Sequence, residues 1–591
     1  MYQFDKYDCW LQVTAEAKEL SNSNMYKRFL MMYADSHEDD IDYEIRLTGR
    51  SSGKYTQNEK LTGNVYGKVL GFKEIGVMDN FLDLGGDSLQ AISIAGRISR
   101  ETGMFIGPAV LLKYQTIAEF SEYLDKLYAG GKAELLYVYP EIVAVEDREY
   151  YPASYSQKRM FINNKLDASG IGYNIYRVVE VENSIDLQHF ENVIEALIKR
   201  HEAFRTAVEL FNGEIIQRVK TDVDFKVNYM EADKNNLSNI VSNFKQPFDL
   251  SSPPLLRVGL VKLEEKKYVL LIDMHHVVTD AVSAEIFWRE FALLYRGIEL
   301  PELRLQYKDF SVWQNKVMES EVAKKQEKYW MKVFGGKLPV LDIPTDYPRP
   351  QVLRFEGNTV TFITEDKFGA GIKNIVAETR ASLYMVMLAA YNILLSKYTA
   401  QEDIIVGTPV VGRLAPQWEN VIGMFINMLP IRNYPSGSKT FRAFLEEVKE
   451  NVISSFENQD YQIDELANKL NTPKILSRHF LFDTVFSVRS IGENKEIINI
   501  SKSNLSEDIY NISDYDLTFE VVTDKDKIKL HLEYCTSLFR KETAERIIQD
   551  YLSIFEAVSD NLDIEIENIE LKSSRLITPT DRVYEDVIFN I

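Results

Sequence analysis

The sequence has 591 residues, 45% of them hydrophobic and 27% charged, the mix of a soluble globular chain long enough for roughly four domains. A net charge of −21 excludes the basic face of a general nucleic-acid binder, and two cysteines, Cys9 and Cys535, exclude a disulfide framework and a cysteine zinc site. The first residues lack the basic-then-apolar pattern of a secretory signal, so a reducing, cytoplasmic setting with no membrane or nucleic-acid partner is expected.

Residues 1–57 read as connecting sequence, with an acidic patch (Glu38, Asp39, Asp40, Asp42, Glu44), some helix around 11–33, and no core of their own. Residues 58–130 predict a small bundle of four short helices. Leu61, Val65, Val69 and Leu70 recur at helical spacing, a loop runs from Ile75 to Asp87, and a helix starts at Ser88 with Leu89, Ile92, Ile94 and Ile98 mostly inward. Thr116 caps the last helix, with Ile117, Phe120, Tyr123, Leu124 and Leu127, and Gly130-Gly131 ends it. Residues 131–150 are expected to be a linker.

From Tyr151 the texture becomes mixed. Tyr268 to Met274 predicts a buried strand, and Asp280 opens a helix bearing Val282, Ile286, Phe287, Phe291 and Leu294. Leu383 to Leu395, interrupted by Asn392, is too short for a bilayer and predicts a buried helix. Ile404 to Val411 predicts a strand and Phe441 to Phe456 a helix. The pattern implies a large α/β body of two lobes, 151–325 and 326–575.

Two constellations carry chemistry. In Asp79-Asn80-Phe81-Leu82-Asp83-Leu84-Gly85-Gly86-Asp87-Ser88-Leu89, two glycines let the loop turn sharply, and Ser88 stands at a helix start, where free N–H groups and the helix dipole favour a phosphate. On composition alone Ser88 reads more simply as a helix cap. The stretch and its flanking helices, residues 58–130, resemble the carrier domain of nonribosomal peptide synthetases. The resemblance implies that Ser88 receives 4′-phosphopantetheine from a phosphopantetheinyl transferase.

The second constellation is Met274-His275-His276-Val277-Val278-Thr279-Asp280-Ala281. Neighbouring strand residues face opposite ways, so His275 and His276 are not placed to share a metal. By themselves they read as core histidines at a strand end. The segment is similar to the His-His-x-x-x-Asp-Gly motif of condensation domains, which have a two-lobed chloramphenicol-acetyltransferase-like fold. Further motifs follow in the family's order: Ser154 to Phe161 with Arg159, Arg200 to Thr206, Pro247 to Leu250 with Pro254 to Arg257, Tyr307 to Gln314, Ile422 to Asn427, Asn458 to Tyr461, and Ser477 to Asp483.

The resemblance covers residues ~150–575. It implies amide-bond formation between carrier-bound thioesters, with His276, His275 and Asp280 as the catalytic motif: His276 is central and faces a tunnel, and Asp280 reads more simply as structural, paired with an arginine, for which Arg413 is the candidate. His276 suits a general base, and equally a group that orients the amine or stabilises the tetrahedral intermediate. Asn427 and Arg159 are structural or tunnel candidates. Two positions depart from the pattern. Ala281 stands where the family usually has Gly; a positive φ there would cost ~1 kcal/mol or more, and otherwise the methyl narrows the tunnel. His479 is the lesser departure.

Tyr2, Phe4 and Trp10 resemble the Tyr-Pro-Phe…Trp linker behind polyketide ketosynthase–acyltransferase units, with Gln3 in place of the proline. Val583 to Ile591 resembles the lead-in to an adenylation domain, so 576–591 is expected to begin the linker to one. The expected setting is a megasynthase fragment between an upstream acyl- or amino-acid-loading module and downstream adenylation and carrier domains. Competing expectations on the same fold are an epimerase of a carrier-bound residue and a silent docking platform, the latter favoured by Ala281. A cyclising variant is disfavoured because His275 is intact.

Overall fold

The computed structural model describes residues 45–573, apart from 82–83, 85–87, 103–105, 108, 130–138, 168, 182–183, 234, 471–474, 476, 491–512 and 525–526. The helix expected near 11–33, both terminal resemblances and the Gly85-Gly86-Asp87 turn lie outside the described residues.

The amino-terminal unit starts earlier than its helical periodicity implies. β1 (Arg46–Thr48) pairs in parallel with β2 (Glu74–Gly76), and Ile45 packs in one core with Tyr66, Phe81, Ile94 and Phe120. The expected boundary at residue 58 is therefore too late. A three-residue strand has no periodicity of its own, and its partner is distant in sequence.

Between the strands runs α1 (Gln57–Leu70), started by a reciprocal cap. Thr56 Oγ1 accepts from Glu59 N at 3.1 Å, and the Glu59 carboxylate accepts from Thr56 N at 2.8 Å. α2 (Ser88–Thr102), α3 (Ala109–Lys113) and α4 (Ile117–Ala129) complete the four helices.

Part of the expected linker is packed structure. The Tyr139 ring stacks on Trp313 (centroids 6.0 Å apart), and its hydroxyl donates to Asp460 at 2.6 Å. Trp313 Nε1 donates to Pro140 O at 2.8 Å, and Val145 N donates to Asp309 at 2.8 Å. Residues 139–150 are thus strapped to the body that follows.

In that body the first lobe holds β3 (Tyr151–Pro152), α5 (Tyr155–Leu166), β4 (Asn174–Val181), α6 (Leu187–Arg200), β5 (Thr206–Phe211), β6 (Glu214–Val219), β7 (Asn228–Glu231), α7 (Leu237–Phe244), β8 (Leu256–Glu264), β9 (Lys267–His275), α8 (Ala281–Tyr295) and α9 (Tyr307–Glu319). Its main sheet has the order β4-β9-β8-β7, with a smaller sheet β3-β6-β5. β9 is buried from Tyr268 to His275, as a central strand covered on both faces must be.

The second lobe holds α10 (Glu321–Val333), β10 (Gly357–Ile363), α11 (Asp366–Thr379), α12 (Leu383–Thr399), β11 (Ile404–Val410), β12 (Asn427–Asn433), α13 (Phe441–Glu457), α14 (Ile463–Leu470), β13 (Thr484–Ser490), β14 (Leu517–Asp524), β15 (Lys527–Cys535) and α15 (Lys541–Asp560). Its sheet runs β10-β15-β14-β13-β11-β12. α12 is the expected apolar helix. Its fully buried Asn392 donates Nδ2 to Leu388 O at 2.8 Å within the same helix, which satisfies the nitrogen of its amide.

The lobes are not separate in sequence. After β11 the chain crosses over, and Trp418, Val421, Ile422, Met424 and Phe425 enter the core of the first lobe beside Phe310 and Trp313. The expected division at residue 326 misses this crossover, because an apolar run does not declare which core it joins. Gly412 permits the crossing: its φ is +68°, and a Cβ there would stand 1.9 Å from Phe425 O.

Candidate functional site

The site is built where β9 ends. His275 is fully buried. Its backbone N donates to Leu255 O at 3.1 Å, and its Nδ1 accepts from Val277 N at 3.1 Å. That leaves the proton on Nε2, which faces Asn164 Oδ1 at 3.3 Å. Burial, then the neighbouring His276 and Arg257, push its pKa down to about 3, so it is a neutral ring that fixes the turn.

His276 turns the other way and is partly exposed. Its backbone N donates to Tyr173 O at 2.8 Å, and the Tyr173 ring meets Phe355 of the second lobe at 6.0 Å. Its Nδ1 lies 2.7 Å from Thr279 O. A carbonyl only accepts, so Nδ1 carries the proton and Nε2 of the neutral ring presents a lone pair.

Asp280 is fully buried, and its carboxylate is bound to groups other than the imidazole. Oδ1 accepts from Ser283 N at 2.7 Å, which caps α8, and Oδ2 accepts from Phe425 N at 2.9 Å. Arg413, also fully buried, donates Nη2 to Asp280 Oδ1 at 3.2 Å and to Ser283 Oγ at 2.8 Å. It donates Nη1 to Trp418 O and Val421 O, each at 2.6 Å, and its guanidinium lies 3.9 Å from the centroid of Phe425. Ser283 Oγ also donates to Gly423 O at 2.8 Å. The pair therefore ties the crossover to the helix that begins beside His276.

Ala281 is the first residue of α8, outside the positive-φ residues, with an exposed side chain. The strain that a glycine would relieve is absent. Asn427 is not part of the histidine cluster. Its Nδ2 donates to Gln459 O at 2.8 Å and Tyr461 O at 3.2 Å, and its Oδ1 accepts from Met428 N at 2.9 Å. Arg159 pairs with Asp464 at 3.0 Å, linking α5 to α14. His479 donates its backbone N to Asp483 at 3.0 Å and packs its ring on Tyr515, with its pKa lowered by burial.

Tyr173, Thr279 and Ser283 are contributors that sequence reasoning missed. Ser283, three residues after a capping aspartate, had a signal; Thr279 and Tyr173 act through backbone carbonyls and had none.

Ser88 opens α2, whose first turn holds no acidic residue. That helix start is compatible with a phosphodiester, which its free N–H groups and dipole would favour. Ser88 is thus brought to a helix terminus in the carrier bundle, not into the histidine cluster.

A helical carrier joined to a two-lobed α/β body with one oriented imidazole defines a carrier-dependent acyltransferase. Residues 147–576 match the condensation domain family and residues 64–124 the phosphopantetheine attachment site, and the chain belongs to the condensation domain family, preceded by a phosphopantetheine carrier. Condensation domains of nonribosomal peptide synthetases form amide bonds, and 4′-phosphopantetheine is the group that such a carrier takes.

Over 512 residues the chain is 42% identical to gramicidin S synthase 2 of Brevibacillus brevis, covering 86% of this chain and 11% of that protein. It is 39% identical to tyrocidine synthase 3 of Brevibacillus parabrevis, covering 87% and 8%. The chain thus spans about a tenth of these relatives. Among solved structures, the X-domain from teicoplanin biosynthesis superposes with a TM-score of 0.67 at 22% identity, covering 73% of this chain and all of that one. A four-domain nonribosomal peptide synthetase bound to AMP and glycine gives 0.64 at 21% identity, covering 72% of this chain and 34% of that one. Both share the fold. Among the described residues no helix is long and apolar enough to cross a membrane.

Proposed function

We propose that Ser88 is the attachment point and that the second domain joins the acyl group presented there to the amine of an acceptor on a downstream carrier. The observation that carries this reading is the orientation of His276: Nδ1 is bound to Thr279 O, and among the described residues Nε2 has no hydrogen-bond partner. The phosphopantetheine arm supplies a thioester on a flexible tether, which raises its effective concentration at a nearby site.

His276 Nε2 accepts a hydrogen bond from the acceptor amine, which aims the amine nitrogen's lone pair at the acyl carbonyl. Nε2 then takes up the proton shed as the C–N bond forms, and returns it to the leaving sulfur as the thioester C–S bond breaks and the donor thiol is released. Asp280 and Arg413 do not touch substrate; they hold the turn that aims the ring. The silent-platform reading loses its support, since Ala281 imposes no strain.

The partners that complete this reading are an upstream loading module, a phosphopantetheinyl transferase, and downstream adenylation and carrier domains, in a reducing cytoplasm that suits the free buried Cys535. The test is acyl transfer from loaded Ser88 to an aminoacyl-pantetheine thioester, followed by intact-protein mass spectrometry. His276→Ala should lower transfer by roughly 10²–10⁴-fold without affecting priming. Transfer by His276→Ala at the wild-type rate, or exchange of the substrate α-proton with no amide formed, overturns the reading.

A further inference from the structure

The carrier is seated on the second lobe through three of its elements. On α2, Gly96 lies directly under Pro416: a Cβ there would stand 2.1 Å from Pro416 Cγ and 2.2 Å from Cδ. Ahead of α4, Gln115 Nε2 donates to Arg380 O at 3.3 Å, and within α4 Glu119 faces the Arg380 guanidinium at 3.7 Å. α3 packs against α13. The polar contacts are long or exposed and contribute little. The Gly96–Pro416 contact has no slack, because Pro416 heads a rigid turn whose next residues, Trp418 and Val421, are held by Arg413.

Gly96 is otherwise an unfavourable choice. A glycine inside a helix costs about 1 kcal/mol relative to alanine, and here φ is not positive. Its missing side chain has a use only where another surface must approach, and the surface that approaches is Pro416. Gly96 stands about two turns, ~12 Å, along α2 from Ser88, so a side chain there would move the helix that delivers Ser88.

We propose that Gly96 and Pro416 form a size-selective docking lock. The condensation domain accepts, as donor, a carrier with no side chain at the position two turns beyond its attachment serine, and a larger residue holds the carrier off. The selection is steric rather than electrostatic, so it is insensitive to salt. This rests on the donor-carrier reading above, which the test separates from it.

The experiment uses the full phosphopantetheinylated chain, wild type, Gly96→Leu, Gly96→Ala, Pro416→Gly, and the double variant Gly96→Ala with Pro416→Gly. Three quantities are read: transfer from acyl-Ser88 to an aminoacyl-pantetheine acceptor, transfer from a soluble acyl-pantetheine donor, and hydrogen exchange of peptides containing Arg380 and Pro416–Trp418. Gly96→Leu is expected to slow transfer from Ser88 by about tenfold or more and to speed exchange at both peptides, with the soluble-donor rate unchanged. That loss corresponds to about 1.4 kcal/mol of docking energy. Gly96→Ala should lie between, and the double variant should recover towards wild type.

Wild-type transfer from Ser88 and unchanged exchange in Gly96→Leu overturn the lock, as does a double variant no better than Gly96→Ala. If the wild type transfers from neither donor, the condensation reading fails, and exchange alone still decides whether Gly96 controls docking.

Discussion

Removing the Arg413 guanidinium tests how the imidazole of His276 is held. In Arg413→Met the side chain keeps comparable bulk but loses every donor. Trp418 O and Val421 O lose bonds of 2.6 Å, Asp280 loses its counter-ion, and Ser283 Oγ loses a donor. Asp280 keeps two backbone N–H donors, from Ser283 and Phe425, so it is not stripped bare. Each buried carbonyl left unpaired costs ~1–3 kcal/mol, and breaking a buried pair from one side by itself costs ~3–5 kcal/mol. Against the ~5–15 kcal/mol typical of a domain this is a large fraction.

The assay is thermal and urea unfolding of the full chain, with probes in each domain because a multidomain chain is not two-state. The readout is the transition of the first lobe, with acyl transfer measured in parallel. Asp280→Asn combined with Arg413→Met should cost less than the sum of the two single changes, since each single change leaves a buried charge uncompensated. Transfer should fall beyond what lost stability explains, because the Thr279–Asp280 turn that orients His276 loosens. A loss under 1 kcal/mol with full transfer activity, or strict additivity, would refute the latch.

Three further outcomes follow from the same geometry. Ala281→Gly should destabilise by at most ~1 kcal/mol and leave transfer unchanged, since Ala281 is an exposed first residue of α8 with no positive φ; a large gain in rate would contradict this. Gly423→Ala should cost at least ~1–3 kcal/mol in urea unfolding, because a Cβ would stand 1.9 Å from Tyr307 Cδ2 and that buried ring is held by Ser154 through its hydroxyl. Burial holds His275 at about 3, below its unfolded value near ~6.5, so the native state binds fewer protons and stability rises with pH between the two. Its contribution is fully present above ~6.5 and is lost as pH falls towards 3. His275→Asn should flatten that slope by at most about 1.4 kcal/mol per pH unit between pH 6 and 4, and an unchanged slope in unfolding titrations would reject the burial argument.

Much of the local structure was legible in the sequence because its causes are local. Apolar β-rich residues from Tyr268 onward specify β9, Asp280 ahead of an apolar helical pattern specifies the start of α8, and the run from Leu383 specifies α12. The family's ordered motifs added what no periodicity contains, that a phosphopantetheine carrier precedes a condensation domain. The sequence by itself thus determined the elements, the residue types at the site, and the pairing of a carrier with a condensation domain.

Tertiary structure decided everything that depends on a distant partner. Arg413 meets Asp280 across 133 residues, and the crossover after Gly412 enters a core that its own apolar pattern does not name. The strand at Arg46–Thr48 is visible only from Glu74–Gly76, and Gly96 has a reason only once Pro416 lies on it. The tautomer of His276 is set by a backbone carbonyl, which every residue carries alike; its identity gives no signal, and only its position in space puts the proton of the neutral ring on Nδ1.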